Sequence, residues 1–410
     1  MTDIVVTGYG AITPLGLGTE VLFSGLTSSS SGIAALTDPR FAEAGVPDAI
    51  AGAVTVDMAE LLGKPATRRL DRSQQFALVA AEQAWADAGF DAESELDPER
   101  LAAVIGTGIG GLNTLLDQEH VLLERGARRV SPRTVPMLMA NAASAQVAMT
   151  YGAKAGTYTP VSACAAGAEA LATAARLIAT GEADVVIAGG AEAAIAPLTV
   201  AAFSQAQALA KPDERPAEEL SRPFSADRAG FVLGEGAGVV ILESAEHAAR
   251  RGARAHARLS GWAITSDAYH ITASDPSGAG QIRAMRQAIK LAGLTPSAVG
   301  HLNAHATGTT VGDLSESKAV NEVFEHSPAV TAPKGALGHL VGAAGAVEAI
   351  VTIMSLEQQI IPPTRNLSEL DEEITLDVVH TQARETTFDH ALSNSFGFGG
   401  QNVSLLFSKA

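Results

Sequence analysis

The stretch Leu101-Ala102-Ala103-Val104-Ile105-Gly106-Thr107-Gly108-Ile109-Gly110-Gly111 decides the fold, because an apolar strand runs there directly into a glycine-rich loop. A helical pattern over 81–90, closed by a glycine, precedes it. The same order recurs in the second half, with a helix over 284–292, a strand over 299–303 and a loop over 305–309. Strands that alternate with helices predict an α/β protein with parallel strands buried between helices.

Two later segments extend this internal repeat. Residues 159–167 open an alanine-rich helix and residues 332–342 open another. Cys164 and His339 each lie three residues before a glycine, so we expect them at equivalent places. The repeat predicts two related halves, 1–250 and 251–410, in one compact body. The alternative is that alanine- and glycine-rich segments resemble one another through composition alone.

The composition excludes several classes of protein. Only 18% of the 410 residues are charged and 47% are hydrophobic, which argues against disorder. The net charge of −17 makes nucleic acid and anionic membranes poor partners. The single cysteine permits no intrachain disulfide, and the first residues predict a strand rather than a signal peptide. We therefore expect a cytoplasmic protein without a metal site.

Cys164 is the first candidate for chemistry. A thiol at a helix start faces unpaired N–H groups and the positive end of the helix dipole, so we expect its pKa to be lowered. The same N–H groups can form an oxyanion hole for a thioester. A buried structural cysteine is the alternative.

Two histidines and a lysine strengthen the catalytic interpretation. His305 and His339 lie in glycine-rich turns and could donate hydrogen bonds to a developing oxyanion or enolate. Lys334 lies in an apolar stretch and needs a partner if it is buried, for which Glu348 is the candidate. The glycine- and phenylalanine-rich residues 394–402 precede the last strand and predict a flexible loop with an aromatic lid. A hairpin turn with ordinary core phenylalanines is the alternative.

Four motifs together resemble the β-ketoacyl-[acyl-carrier-protein] synthases of types I and II. They are Val161-Ser162-Ala163-Cys164, Asn303-Ala304-His305-Ala306-Thr307-Gly308-Thr309, Lys334 with Gly338-His339, and residues 394–400. The resemblance spans almost the whole chain and is greatest to the type II enzymes and their actinobacterial relatives. It implies the thiolase-like fold, five α-β-α-β-α layers built from two similar halves, usually as a homodimer.

The resemblance also implies roles for individual residues. Cys164 would accept the acyl group, and His305 and His339 would hold the malonyl thioester and stabilise its enolate. Lys334, supported by Glu348, would orient this cluster, and the N–H groups of Cys164 and Phe398 would form the oxyanion hole. Other positions would bind the phosphopantetheine arm (Thr307 and Thr309) or the acyl chain (Ile109, Phe203 and Phe396). The substrates would arrive on the phosphopantetheine of acyl carrier protein, and no separate cofactor is implied.

Carrier docking is implied at basic residues of an otherwise acidic chain. The family positions are Lys64, Arg68, Arg69, Arg128 and Arg129. Arg68 and Arg72 would share a helix face if the segment from Thr67 is helical. Ordinary solvated charges are the alternative. Two departures concern the carrier and the pathway: Gln207 stands where the family commonly has arginine, and Gln401 where actinobacterial relatives often have histidine.

Four other functions compete with this interpretation. A thiolase needs a second catalytic cysteine, which the chain lacks, and a type III synthase needs asparagine where His339 stands. A ketosynthase subunit of a type II polyketide synthase would share the same catalytic residues and stays open. A non-catalytic chain-length factor, which would make a heterodimer, typically lacks the nucleophile that Cys164 provides.

Overall fold

A computed structural model describes residues 2–91 and 96–410. The first half contains these helices and strands: β1 (Ile4–Thr13), β2 (Gly16–Leu17), α1 (Thr19–Thr27), β3 (Ile33–Ala35), α2 (Pro39–Glu43), β4 (Ile50–Gly52), α3 (Met58–Leu62), α4 (Lys64–Thr67), α5 (Arg72–Asp87), β5 (Leu101–Gly106), α6 (Leu112–Arg125), α7 (Thr134–Leu138), α8 (Ala142–Tyr151), β6 (Gly156–Tyr158), α9 (Ala166–Ala179), β7 (Val185–Glu192), α10 (Pro197–Gln205), β8 (Leu233–Gly234), β9 (Gly236–Ser244) and α11 (Ala245–Arg250).

The second half repeats the same sequence of main elements. Its helices and strands are β10 (Ala257–Ser266), α12 (Ala279–Leu291), β11 (His301–Asn303), α13 (Thr310–Val323), β12 (Ala329–Thr331), α14 (Lys334–Leu337), α15 (Ala344–Gln358), β13 (Ile360–Ile361), β14 (Arg384–Glu385), β15 (His390–Gly397) and β16 (Gln401–Lys409).

The main sheet shows the repeat directly. Its strand order is β12-β11-β15-β16-β10-β1-β9-β7-β5-β6, with the short β2 paired to β1 off this path. Along the path each half contributes five strands in the same relative order. The halves meet where β1 and β10 pair antiparallel through Val5 with Arg258 and Val6 with Ala257. The boundary at residue 250 stays a prediction, because this pairing joins the halves without marking where one ends.

The five layers are a central layer of helices, the strands of each half on either side of it, and an outer layer of helices on each half. Helices α9 and α15 form the central layer and pack on strands of both halves. Helices α5 and α8 cover the outer face of the first half, and α12 and α13 cover that of the second. The expected α-β-α-β-α fold is therefore confirmed.

Glycines let the two central helices touch backbone to backbone. A Cβ added to Gly167 would meet the nitrogen of Ala346 at 2.9 Å, and one added to Gly345 would meet that of Ala168 at 2.8 Å. These reciprocal contacts relate the helices by a local two-fold. The segment Val341–Gln358 is apolar and long enough to cross a membrane, but 89% of it is buried within the protein, as suits a core helix.

The same symmetry corrects the predicted match between Cys164 and His339. Ala163 and Val341 share a positive φ, 51° and 47°, and each lies three residues before the first residue of its central helix, α9 or α15. In this register Cys164 corresponds to Gly342, so the prediction of equivalent places for the two catalytic candidates was wrong. The sequence comparison had matched Gly167 with Gly342, whereas its structural counterpart is Gly345.

Candidate active site

Cys164 lies in the 3-10 turn Ala163–Ala165 that leads into α9. The residue is partly exposed and borders a cavity of about 380 Å³. Burial raises the pKa of its thiol to about 11, although Lys334 and the backbone N–H of Phe398 oppose this shift. The expected lowering by the helix start was therefore wrong, because desolvation outweighs the nearby positive charge and N–H groups.

His305 and His339 converge on Cys164 from the second half. One ligand-type atom from each of the three side chains lies within 4.8 Å of the other two. The imidazole ring centroids are 5.4 Å apart, with ring planes 84° apart. This places a nucleophile and two hydrogen-bond donors around one small volume.

Main-chain hydrogen bonds fix both histidines. The N–H groups of His305 and Ala306 donate to the carboxylate of Glu316 at 2.9 and 2.8 Å. The N–H of His339 donates to the carbonyl of Val232 at 2.7 Å, and its own carbonyl accepts from Gly234 at 2.8 Å. The backbone is held while the imidazoles stay available to a ligand.

Both imidazoles are neutral at physiological pH. Burial and then the charge of Lys334 lower the pKa of each ring well below its usual value, and for His305 the other histidine adds to this. Among the described residues, His305 Nδ1 and both nitrogens of His339 have no hydrogen-bond partner. Buried nitrogens without partners are uncommon in proteins, so these atoms are suited to binding substrate.

Lys334 and Glu348 form an ion pair beside the histidines, and each is at most 2% exposed. Lys334 begins the short helix α14, whereas Glu348 lies on the core helix α15. Burial raises the pKa of Glu348 to about 7, and Lys334 opposes the shift. The structure thus brings the lysine and its candidate partner together, with the lysine charge facing the Cys-His-His cluster.

The cavity also contains the residues assigned to substrate. Phe398 is 37% exposed in the turn between β15 and β16, and its N–H faces the thiol together with that of Cys164 itself. The hydroxyls of Thr307 and Thr309 are 3.0 Å apart. The remaining predicted residues that line the cavity are Ile109, Phe203 and Phe396, with Gln207 beside them.

Two buried glutamates at the site were missed by sequence reasoning. Glu316 holds the His305 backbone from α13, and burial raises its pKa to about 7. Glu192 ends strand β7 and binds the glycine-rich loop that follows β5. A signal for Glu192 was present, because a carboxylate that ends an apolar strand needs donors such as a glycine-rich loop supplies.

The proposed docking residues divide into two exposed groups. Lys64, Arg68 and Arg69 lie in and after α4, and Arg128 and Arg129 follow α6; all five are exposed. None of them forms an ion pair within the described ranges.

Arg72 does not belong with the docking residues. Its guanidinium binds the carboxylate of buried Glu235 at 2.7 Å and the carbonyl of Val54 at 2.7 Å. Helix α4 ends at Thr67 and α5 begins at Arg72, so the condition under which Arg68 and Arg72 would share a helix face is not met.

The Cys-His-His cluster has the donor types of a zinc site. Zinc sites keep at least three protein ligands at about 2.0–2.3 Å. Here the charge of Lys334 lies close enough to lower both histidine pKa values, and it would repel a cation. The cluster fits an acyl thioester better than a metal.

Comparisons with known proteins agree with this site. Residues 1–248 match the N-terminal domain model of the beta-ketoacyl synthases, and residues 256–368 match the C-terminal domain model. A 3-oxoacyl-[acyl-carrier-protein] synthase 2 of Mycobacterium tuberculosis is 44% identical over 407 residues, covering 99% of this chain and 97% of the relative. Its Synechocystis namesake is 43% identical over 410 residues, covering 99% and 98%.

Solved structures give the same result. A beta-ketoacyl synthase from Burkholderia phymatum superposes with a TM-score of 0.91 at 31% identity, covering 100% of both chains. A ketosynthase solved with its type II PKS acyl-carrier protein and a hexaketide gives 0.91 at 30% identity, covering 100% of this chain and 99% of the other. The ishigamide ketosynthase/chain length factor gives 0.91 at 32% identity, with the same two coverages. Fold, full-length relatives and domain models agree, and the chain belongs to the β-ketoacyl synthase family, acyltransferases that extend an acyl chain by condensation.

Proposed function

We propose that the chain elongates fatty acids by decarboxylative Claisen condensation at Cys164. The Cys164 sulfur displaces the carrier thiol of an acyl donor and becomes the acyl thioester. Malonyl-acyl-carrier protein then loses CO₂, and the resulting enolate forms the new carbon–carbon bond at the acyl carbonyl. The Cys164 thiolate leaves and is protonated, and the β-ketoacyl group stays on the carrier.

Each residue has a role in that sequence. The N–H groups of Cys164 and Phe398 stabilise the tetrahedral oxyanion, and neutral His305 and His339 donate to the enolate. The observation that carries the proposal is the convergence of one thiol and two imidazoles within 4.8 Å, with imidazole nitrogens that have no protein partner among the described residues. Thr307 and Thr309 hydrogen-bond the phosphopantetheine arm.

Mass spectrometry of the intact protein tests the first half-reaction. After incubation with an acyl-carrier thioester, the wild type should gain the acyl mass on Cys164, and Cys164→Ala should gain none. The alanine variant should also fail to condense, while its melting temperature stays near that of the wild type because alanine fits the same turn. Condensation at near wild-type rate in Cys164→Ala would remove the assignment.

A second candidate function is that of the ketosynthase subunit of a type II polyketide synthase. Two structural matches support it: one is a ketosynthase in complex with a type II PKS acyl-carrier protein, and the other is a ketosynthase/chain length factor. The relatives with higher identity favour fatty-acid elongation. Assays with fatty acyl and polyketide donors distinguish the two. A non-catalytic chain-length factor is disfavoured because Cys164 and both histidines are present.

We propose that the enzyme is a homodimer. Strand β6 pairs with β5 alone, so within the described part of the chain its other edge is free. Exposed Tyr158, Met149 and Val161 lie on or near this strand. An open, apolar strand edge is normally covered by another chain. A monomer in sedimentation at micromolar concentration would contradict this, and a heterodimer with a chain-length factor would require a second gene product.

Acyl carrier protein is the proposed partner, bound at Lys64, Arg68, Arg69, Arg128 and Arg129. We also propose a cytoplasmic enzyme that uses no cofactor beyond the phosphopantetheine of its substrates and binds neither nucleic acid nor membrane. The net charge of −17 supports the last two points.

A further inference from the structure

Glu192 is a fully buried carboxylate that the condensation mechanism does not use. Its Oε2 accepts hydrogen bonds from the N–H of Gly108 at 2.6 Å and of Gly342 at 3.1 Å. Its Oε1 accepts from the hydroxyl of Thr107 at 3.1 Å. Among the described residues it has no ion-pair partner, so these bonds to neutral donors are what stabilise it.

These bonds join two walls of the catalytic cavity that come from different halves of the chain. Gly108 and Ile109 line the cavity from the first half, and Val341, adjacent to Gly342, lines it from the second. The two walls touch, because a Cβ added to Gly342 would meet the nitrogen of Gly108 at 2.3 Å. Glu192 therefore lies where the two cavity walls meet.

The second wall needs such a restraint. Val341 has a φ of 47°, a strained conformation that β-branched residues rarely adopt. The bond from the adjacent Gly342 to Glu192 helps to hold this turn. Thr107 extends the restraint to the other wall, since its hydroxyl also accepts from the N–H of Gly110 at 3.1 Å.

We propose that Glu192 is a positioning residue that holds the loop of Gly108 and Ile109 against the turn of Val341 and Gly342. By doing so it sets which acyl chains the cavity accepts. Without the carboxylate, the N–H groups of Gly108 and Gly342 lose their acceptor and the two walls separate. The cavity then admits longer chains. The inference rests on the proposed acylation of Cys164. Burial also raises the pKa of Glu192 to about 7, opposed by the N–H groups of Gly108 and Gly342.

The test measures acylation of Cys164 by pantetheine thioesters, which need no docking surface, with chains of about 6 and about 16 carbons. In Glu192→Ala the ratio of kcat/KM for the long to the short donor should rise about tenfold, the discrimination that small changes in an apolar pocket give. Glu192→Gln should restore the wild-type ratio, since its oxygen can accept from Gly108 and Gly342 while its amide donates to Thr107.

Glu243 provides the matched control. It is equally buried and lies on β9 opposite Val185, at the far end of the strand pair in which Glu192 faces Gly236. Seven residues of strand separate the two glutamates, about 23 Å. Glu243→Ala should lower the melting temperature and leave the donor ratio unchanged, because it is remote from the cavity.

Three results would overturn the proposal: an unchanged ratio in Glu192→Ala, the same change in Glu243→Ala, or no recovery in Glu192→Gln. If Glu192→Ala does not fold or is not acylated, Thr107→Val decides. It removes one of the bonds, so its ratio should rise about threefold, less than on loss of all of them, and an unchanged ratio would refute the proposal. A wild type that is never acylated at Cys164 would instead refute the proposed function.

Discussion

Replacing the buried ion pair of Lys334 and Glu348 separates its structural from its catalytic effect. Lys334→Met leaves a carboxylate buried at 2% exposure, and one of its oxygens already lacks a partner among the described residues. Removing one member of a buried pair typically costs about 3–5 kcal/mol. Glu348→Met should lower the stability by about as much, because it leaves Lys334 buried without its ion-pair partner.

The double variant Lys334→Met/Glu348→Met should recover most of that stability, because apolar residues of similar volume often replace a buried pair without loss. With an unfolding entropy of about 2.1 cal/mol/K per residue, 410 residues give about 0.9 kcal/mol/K. A loss of about 4 kcal/mol thus lowers Tm by roughly 5 °C in each single variant. Calorimetry of the four proteins measures the coupling directly.

Activity should not recover with stability. The Lys334 charge opposes the raised pKa of the Cys164 thiol, and it adds to burial in lowering the pKa values of His305 and His339. Its loss should lower condensation about 10²–10³-fold in the double variant, the usual cost of removing one electrostatic group from a site. A double variant as unstable as the sum of the singles would refute the pairing argument. A stable and fully active one would show that Lys334 acts through structure alone.

Three further outcomes are expected. Alkylation of Cys164 by iodoacetamide should still rise about tenfold per pH unit between pH 7 and pH 9.5, because a raised pKa keeps the thiol protonated below about pH 11, and a plateau near pH 8 would contradict this. His305→Ala and His339→Ala should lose malonyl decarboxylation by about 10²–10³-fold and acyl transfer by less, and the opposite order in product assays would reverse the assigned roles. The double variant Arg68→Glu/Arg128→Glu should raise KM for the acyl-carrier thioester and weaken the salt dependence of that KM. Arg258→Glu, at another exposed arginine, is the control and should leave KM unchanged. If the double variant loses as much activity with a pantetheine thioester as with the acyl-carrier thioester, the docking role is excluded.

The fold and the reacting residues were accessible from the sequence because their signals are local. A strand followed by a glycine-rich loop recurs in both halves and predicts two related α/β halves, and the family resemblance then implied the five-layered fold. Cys164 lies in the turn that leads into α9, His305 lies two residues after β11, and His339 lies between α14 and α15. The motifs around these residues resemble those of the β-ketoacyl synthases, and this resemblance implied the condensation reaction.

The features that sequence reasoning missed depend on contacts between distant segments. Arg72 has the spacing of a docking residue, yet Glu235 binds it from 163 positions away along the chain. Glu192 binds Gly342 across 150 positions. The predicted direction of the Cys164 pKa shift was wrong for the same reason. Burial in the folded protein raises this pKa, and burial cannot be derived from the position of the cysteine at a helix start.

The two-fold repeat explains how one active site can be asymmetric. The local symmetry pairs Cys164 with Gly342, so the second half has no thiol at the corresponding turn and instead brings its backbone against the first-half loop. A side chain at Gly342 would collide with Gly108, only 2.3 Å from the added Cβ. The glycine thus frees the second central-helix turn to form the cavity wall while His339, three residues earlier, reaches the thiol. The two halves thus provide two equivalent helix starts, and only the first of them carries a nucleophile.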